Sequence, residues 1–164
     1  MSLVVETGEG LSTAESYISV ADADARHTAF GNTAWTGATG VKEAALRRAT
    51  AYIEQAYRDR WKGTRLYRAQ ALSWPRYGAC VDGFDLPSTA LPAEVANACA
   101  DLAVKALDGE LNADLTRAVI REKVGPLETE YSAYGPESTR YRSIDMELAP
   151  FLKGGGVNAR LVRA

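Results

Sequence analysis

The side chains that most often perform chemistry are scarce in this sequence of 164 residues. Its one histidine, His27, lies inside a predicted helix, so a histidine-based metal site would have to take its other ligands from carboxylates. The two cysteines, Cys80 and Cys99, do not have zinc or redox spacing and are predicted to be small core residues. We therefore predict no catalytic residue, no metal site and no cofactor.

Two further motifs could carry chemistry, and both are more typical of turns. Asp82 and Asp85 could act as paired carboxylates in acid–base catalysis, but no histidine, serine elbow or third acid accompanies them. Gly8 and Gly10 form a lone Gly-x-Gly, which is a very weak signal for a phosphate loop. An enzyme is therefore the least favoured class.

Composition describes one globular domain without an overall attraction for polyanions. The chain is 46% hydrophobic, with a net charge of −2 and a pI near 5.5, which argues against a general nucleic-acid coating role. Charge is nevertheless segmented: residues 1–41 carry −4, 42–76 carry +6, 77–115 carry −6 and 116–164 carry +2. Blocks of opposite sign could neutralise each other within one chain or pair across subunits of a ring or stack, and both alternatives stay open.

The strongest local signal is an amphipathic helix from Val41 to a stop at Trp61-Lys62-Gly63. Apolar residues at spacings of three and four predict one buried stripe, and acid-to-base pairs such as Glu54 with Arg58 predict an exposed face. After the stop, Trp74 precedes Pro75 and is predicted to anchor the core. Trp35, in the loop 31–40, either fills the core or faces a partner.

The remaining elements complete a mainly α fold, namely a helical bundle with a small β-hairpin and a flexible C-terminal arm. Helices are predicted from a Ser19 cap to Gly31, from Pro92 to Gly109 and from Ile144 to Leu152. An Asp82-Gly83 turn is predicted to form a short loop or hairpin, and two strands are predicted about Gly125-Pro126. The predicted structural core comprises Leu46, Ile53, Trp61, Trp74, Pro75, Val95 and Leu102.

The domain is predicted to span residues 1–153, followed by a flexible tail over residues 154–164. Three glycines begin this tail, and the residues after them combine an apolar centre with positive flanks. That composition predicts an arm that docks on a partner. The candidate docking residues are Val157, Arg160, Leu161, Val162 and Arg163.

Five motifs in combination carry a resemblance to a known family. They are Ala45-Leu46-Arg47-Arg48-Ala49-Thr50, Trp61-Lys62-Gly63, Gln70-Ala71-Leu72-Ser73-Trp74-Pro75-Arg76, Leu91-Pro92-Ala93-Glu94-Val95 and Lys123-Val124-Gly125-Pro126-Leu127-Glu128. From about Leu3 to Leu152 the chain resembles tailed-phage head-tail connector (neck adaptor) proteins, some of which carry the label DnaT-like single-stranded DNA-binding protein.

The resemblance implies a structural virion protein of a bacteriophage that is not an enzyme. Subunits of such a protein form a ring, expected to be twelvefold, between the portal protein and the stopper or tail-completion protein. Double-stranded DNA passes through the channel without sequence-specific binding, and the terminal arm reaches the portal. The implied location is the neck of the virion, assembled in the host cytoplasm, without a membrane partner.

A DnaT-like single-stranded DNA-binding protein is the alternative function. Such a protein needs a basic groove with exposed aromatic rings on which bases stack. The basic block 42–76 supplies cations together with Trp61, Tyr67 and Trp74. Core packing competes for the same aromatic residues, so the sequence leaves this alternative open.

Overall fold

The computed structural model describes residues 2–112, 119–123, 128–131 and 139–154, with backbone only for 119–123 and 128–131. Four α-helices and three two-stranded antiparallel ladders account for the regular structure of these residues, so the predicted mainly helical fold with small hairpins is confirmed. The elements in order are α1 (Val20–Ala29), α2 (Thr39–Tyr57), β1 (Thr64–Arg65), β2 (Arg76–Tyr77), β3 (Cys80–Val81), β4 (Phe84–Asp85), α3 (Ala93–Asp108), β5 (Val119–Lys123), β6 (Glu128–Tyr131), α4 (Arg142–Leu148) and a 3-10 turn (Ala149–Phe151).

The centre of the molecule is the pair α2 and α3, which pack along each other. Leu46 and Ile53 of α2, and Val95 and Leu102 of α3, are fully buried, as their spacing along each helix requires. Burying a side chain of this size stabilises the fold by about 1.5 to 3 kcal/mol. Pro92 precedes α3 and Gly109 follows it, as predicted.

The helix α1 begins where its capping residue predicts. The Ser19 side chain accepts a hydrogen bond from the backbone N–H of Asp22, which satisfies one of the free donors of the first turn. Within α1, His27 is buried, and its Nε2 lies 3.2 Å from the carbonyl oxygen of Ala100 in α3. Trp35 is buried beside it and donates from Nε1 to Asp24, so this loop aromatic fills the core.

The predicted end of α2 is wrong. The helix ends at Tyr57, four residues before Trp61, because Trp61 pairs across an antiparallel bridge with Leu152 instead of extending the helix. Gly63 therefore does not terminate a helix. It has a φ of 68°, and a Cβ there would lie 2.5 Å from the carbonyl oxygen of Tyr77, so this close approach of two backbones requires glycine.

The predicted pair Glu54–Arg58 is also absent from the described ion pairs. Glu54 turns toward the segment after β1, where its carboxylate accepts hydrogen bonds from the backbone N–H of Ser73 at 2.9 Å and from its hydroxyl at 2.7 Å. The hydroxyl of the buried Tyr17 also donates to it. Burial, together with this carboxylate, raises the pKa of Tyr17 well above its ordinary value.

The two predicted hairpins are present. Strands β3 and β4 pair through an Asp82-Gly83 turn in which both residues have positive φ, the geometry of a two-residue hairpin. Strands β5 and β6 pair from Val119↔Tyr131 to Lys123↔Glu128. The Gly125-Pro126 bend lies outside the described residues.

The last predicted helix, Ile144 to Leu152, is shorter than expected. The α-helix ends at Leu148 and a 3-10 turn containing Pro150 follows, since proline lacks the N–H that would continue α-helical bonding. Among the described helices, none combines the length and apolar composition needed to cross a membrane. The candidate docking residues from Val157 to Arg163 lie outside the described residues, and the boundary after residue 153 stays a prediction.

The residues assigned to the structural core all occupy buried positions. Trp61 and Trp74 are fully enclosed and pack edge to face at a ring-centroid distance of 5.7 Å. Phe151 contacts Trp74 in the same way at 5.9 Å. The others buried in this set are Leu46, Ile53, Pro75, Val95 and Leu102.

Candidate functional site

The most distinctive surface of the molecule is built by residues 58–77, hereafter the basic segment. It contains six arginines and lysines and one acid, Asp59, in a chain whose net charge is −2. The segment runs from the end of α2 through the β1–β2 ladder, in which Thr64 pairs with Tyr77 and Arg65 with Arg76. Its cations divide into an inward set and an outward set.

The inward set consists of Arg65 and Arg76, whose guanidinium groups hold the backbone together. Arg76 is buried and donates to the carbonyl oxygens of Lys62 at 2.7 Å, Gly63 at 2.7 Å and Ser73 at 3.0 Å. Burial lowers the pKa of Arg76 from its ordinary value. These donors satisfy carbonyls that no helix or sheet ladder reaches, so this arginine is structural.

Arg65 and Gln70 brace the loop between the two strands. Arg65 donates to the carbonyl oxygens of Gln70 and Leu72. The buried side-chain amide of Gln70 donates to the carbonyl oxygens of Leu72 at 2.8 Å and Pro75 at 3.1 Å, and accepts from the backbone N–H of Tyr67 at 2.8 Å. The loop is therefore fixed by polar side chains in place of a long ladder.

The outward set consists of Arg58, Arg60, Lys62 and Arg68. Arg60 and Lys62 lie on either side of the buried Trp61; Arg60 is exposed and Lys62 is half-buried. Arg58 and Arg68 are exposed as well. Within the described part of the chain, none of these four cations forms an ion pair.

Two exposed tyrosines belong to the basic segment. Tyr77 is 68% exposed on the outer face of the ladder, opposite Thr64, and Tyr67 is 56% exposed. Tyr67 lies against Gly10, where an added Cβ would come within 2.8 Å of its ring, so the backbone of the first turn supports one side of the tyrosine.

The first turn itself has a structural explanation. The buried carboxylate of Glu6 accepts hydrogen bonds from the backbone N–H groups of Gly8, Gly10 and Leu11 at 2.8 to 3.0 Å. These amides would be the phosphate ligands of a glycine loop, and here the protein's own carboxylate occupies them. The Gly8-Glu9-Gly10 motif therefore organises a turn that supports Tyr67.

The other residues considered for chemistry do not assemble into a reactive centre. Burial lowers the pKa of His27, and its ring nitrogens face Ala100 and Asn32. Asp82 and Asp85 lie in and beside the exposed turn of the β3–β4 hairpin. Across the described ranges, no group of three His, Cys, Asp or Glu side chains could hold a metal ion.

Exposed cations interleaved with exposed aromatic rings define a class of surface that holds single-stranded nucleic acid, because phosphates meet the cations while bases stack on the rings. The comparison with known families agrees with that class. The chain belongs to the family described as "putative DnaT-like ssDNA binding protein", which matches residues 1–164. No curated protein and no solved structure shows significant similarity to it.

This match corrects the expected partners. The prediction of a twelvefold ring with portal and stopper partners and a channel for double-stranded DNA is wrong, because the family description names single-stranded DNA. The comparison confirms the DnaT-like label that was noted with the resemblance. The comparison does not support membership of the connector family or a structural role in the virion. The virion location and the absence of enzymatic activity stay predictions.

The sequence predicts the basic block, but only some of the aromatic residues proposed for base stacking are exposed. Of Trp61, Tyr67 and Trp74, both tryptophans are fully buried and only Tyr67 is exposed. Tyr77 was missed, although its place directly after the inward-facing Arg76 in extended backbone would have predicted an outward side chain. The alternation around Trp61 would similarly have separated the outward Arg60 and Lys62 from the inward arginines.

Proposed function

We propose that the protein binds single-stranded DNA on the outer surface of the basic segment, with Tyr67 and Tyr77 as stacking platforms. The observation that carries the proposal is the coexistence of these exposed rings with cations that have no acidic partner among the described residues. The family membership supports the same ligand.

The division of the arginines explains how such a surface would work. Arg65 and Arg76 donate hydrogen bonds to backbone carbonyls and thereby fix the conformation of the segment. Arg60, Lys62 and Arg68 keep their donors available for phosphate oxygens. A surface that is already rigid loses little conformational entropy when a strand binds.

The geometry favours a single strand over a duplex. Stacking on Tyr67 and Tyr77 requires bases whose faces are accessible, and duplex base pairs hide those faces within the stack. The basic segment consists of a short two-stranded ladder and loops. It does not contain a helix lined by cations, which is the element that enters a major groove in many duplex-binding proteins. Contacts to phosphate and to base faces carry little sequence preference.

The test is fluorescence anisotropy of a labelled oligothymidylate titrated with wild-type protein and with Tyr77→Ala. Base stacking on an aromatic residue is worth about 1 to 3 kcal/mol per base, so Tyr77→Ala should raise Kd at least about fivefold. The matched control is Phe84→Ala, which removes a ring that is 77% exposed on the β3–β4 hairpin beside Asp85 and should leave Kd unchanged.

A second titration series, at several salt concentrations, measures the electrostatic contribution to oligonucleotide binding. The plot of log Kd against log salt should become less steep by about 0.7 when Lys62→Gln removes one phosphate contact. Failure of the wild-type protein to bind the oligonucleotide at physiological salt would reject the proposed function. Equal losses for Tyr77→Ala and Phe84→Ala would reject the assigned surface.

A further inference from the structure

Lys153, more than seventy residues further along the sequence, lies beside the basic segment. The bridge between Trp61 and Leu152 is antiparallel, and two backbone hydrogen bonds extend it: Lys62 N–H donates to the carbonyl of Phe151 at 2.9 Å, and Lys153 N–H donates to the carbonyl of Arg60 at 2.5 Å. This pattern places Lys153 directly across the bridge from Arg60.

The two cations also share a face. Residues directly opposite each other across an antiparallel bridge lie on the same face, and Arg60 and Lys153 are both exposed. Residues directly opposite each other in an antiparallel pair have Cβ atoms about 5 Å apart. Like charges at that spacing repel each other.

No direct ion pair offsets this repulsion among the described side chains. Neither Arg60 nor Lys153 forms an ion pair with a carboxylate among the residues whose side chains are described. The Arg60 guanidinium lies over the ring of Tyr57 at 5.5 Å, and the hydroxyl of that ring donates to Asp145 at 2.7 Å. Two cations held together by backbone pairing can both donate to the oxygens of a single anion.

We propose that Arg60 and Lys153 form a phosphate clamp, and that Lys153 thereby extends the strand-binding surface beyond the basic segment. The ligand class is a phosphate group: on DNA the clamp holds a backbone phosphate, and in its absence it holds inorganic phosphate more weakly. The extension to DNA rests on the proposed function, whereas the affinity for inorganic phosphate does not.

The first arm of the test therefore omits DNA. The thermal midpoint of the wild-type protein is measured in sodium phosphate and in sodium chloride of equal ionic strength and pH. A clamp that binds phosphate in the folded state raises the midpoint in phosphate relative to chloride. Phosphate also stabilises folded proteins generally, so Lys153→Gln should reduce that difference, and Lys105→Gln, which removes an exposed lysine on α3, should retain it in full.

The second arm measures the salt dependence of oligothymidylate binding with the same variants. Lys153→Gln should reduce the slope of log Kd against log salt by about 0.7, while Lys105→Gln should match the wild type. Equal midpoints in phosphate and chloride for the wild-type protein would overturn the clamp. If Lys153→Gln shows the same slope as the wild type, Lys153 does not take part in strand binding. If the wild-type protein itself does not bind oligothymidylate, that result counts against the proposed function instead.

Discussion

The α2–α3 pair and the basic segment show two different ways of fixing a chain. In the helix pair, backbone groups bond within each helix, and the two helices are held together by buried apolar residues such as Leu46 and Leu102. In the basic segment, the regular ladder has only two residue pairs, and side chains such as Arg76 and Gln70 satisfy the carbonyls instead. The second arrangement frees the outer face of the segment for contacts with a ligand.

Trp74→Ala should have the largest effect, because it removes the central ring of the aromatic cluster buried beneath the basic segment. Trp74 is fully buried and packs edge to face on both Trp61 and Phe151. Truncation of a buried tryptophan of this kind costs about 3 to 5 kcal/mol. Urea unfolding followed by far-UV circular dichroism measures the loss, and an unchanged midpoint would show that the aromatic cluster does not stabilise the fold.

Arg76→Met should have a smaller effect that is concentrated in the basic segment. It leaves the carbonyls of Lys62, Gly63 and Ser73 without their donor, at a cost of about 2 to 3 kcal/mol. The matched substitution Arg68→Met, at an exposed arginine, should change the free energy of unfolding by less than about 0.5 kcal/mol. Similar unfolding free energies for the two variants would remove the distinction between inward and outward cations.

The effect of pH should be the smallest and should arise in the helical region. Burial lowers the pKa of His27 below its ordinary value, although Asp24 and Asp101 partly oppose this shift and Arg26 adds to it. Stability from the neutral ring is complete above about pH 6.5 and declines as pH falls toward the lowered pKa, because the unfolded chain then binds the proton more readily.

Unfolding free energies between pH 7 and pH 5 measure this decline. His27→Gln should flatten it, since glutamine keeps polar atoms near Ala100 and Asn32 and does not titrate. If the unfolding free energy of His27→Gln falls with pH as steeply as that of the wild type, the pH dependence arises from other groups.

The two regions also differ in how far sequence predicts them. The cap at Ser19 and the bounds of α3 at Pro92 and Gly109 were correct because capping and helix-end signals are local properties, encoded within a few residues. The end of α2 was wrong because Trp61 lies four residues after Tyr57, a spacing that fits a helix as well as a turn. Only the distant Leu152 decides between them.

The same limit applies to the candidate site. Arg60, Arg65, Arg68 and Arg76 are one residue type within a short stretch, yet two face the backbone and two face solvent. Composition locates the cations but does not show which carbonyls lack donors, because those carbonyls belong to turns that form through tertiary contacts. The position of Lys153 depends likewise on a pairing between distant segments.

The bridge between Trp61 and Leu152 has a consequence for the order of events during synthesis. The paired residues are separated by roughly ninety residues of sequence, which a ribosome adds in about 5 to 20 s. The β3–β4 hairpin, closed by a two-residue turn, needs no distant residue and can pair early. Trp61 must instead wait for residue 152, so we expect the nascent chain to acquire its complete basic surface only as the last described segment emerges.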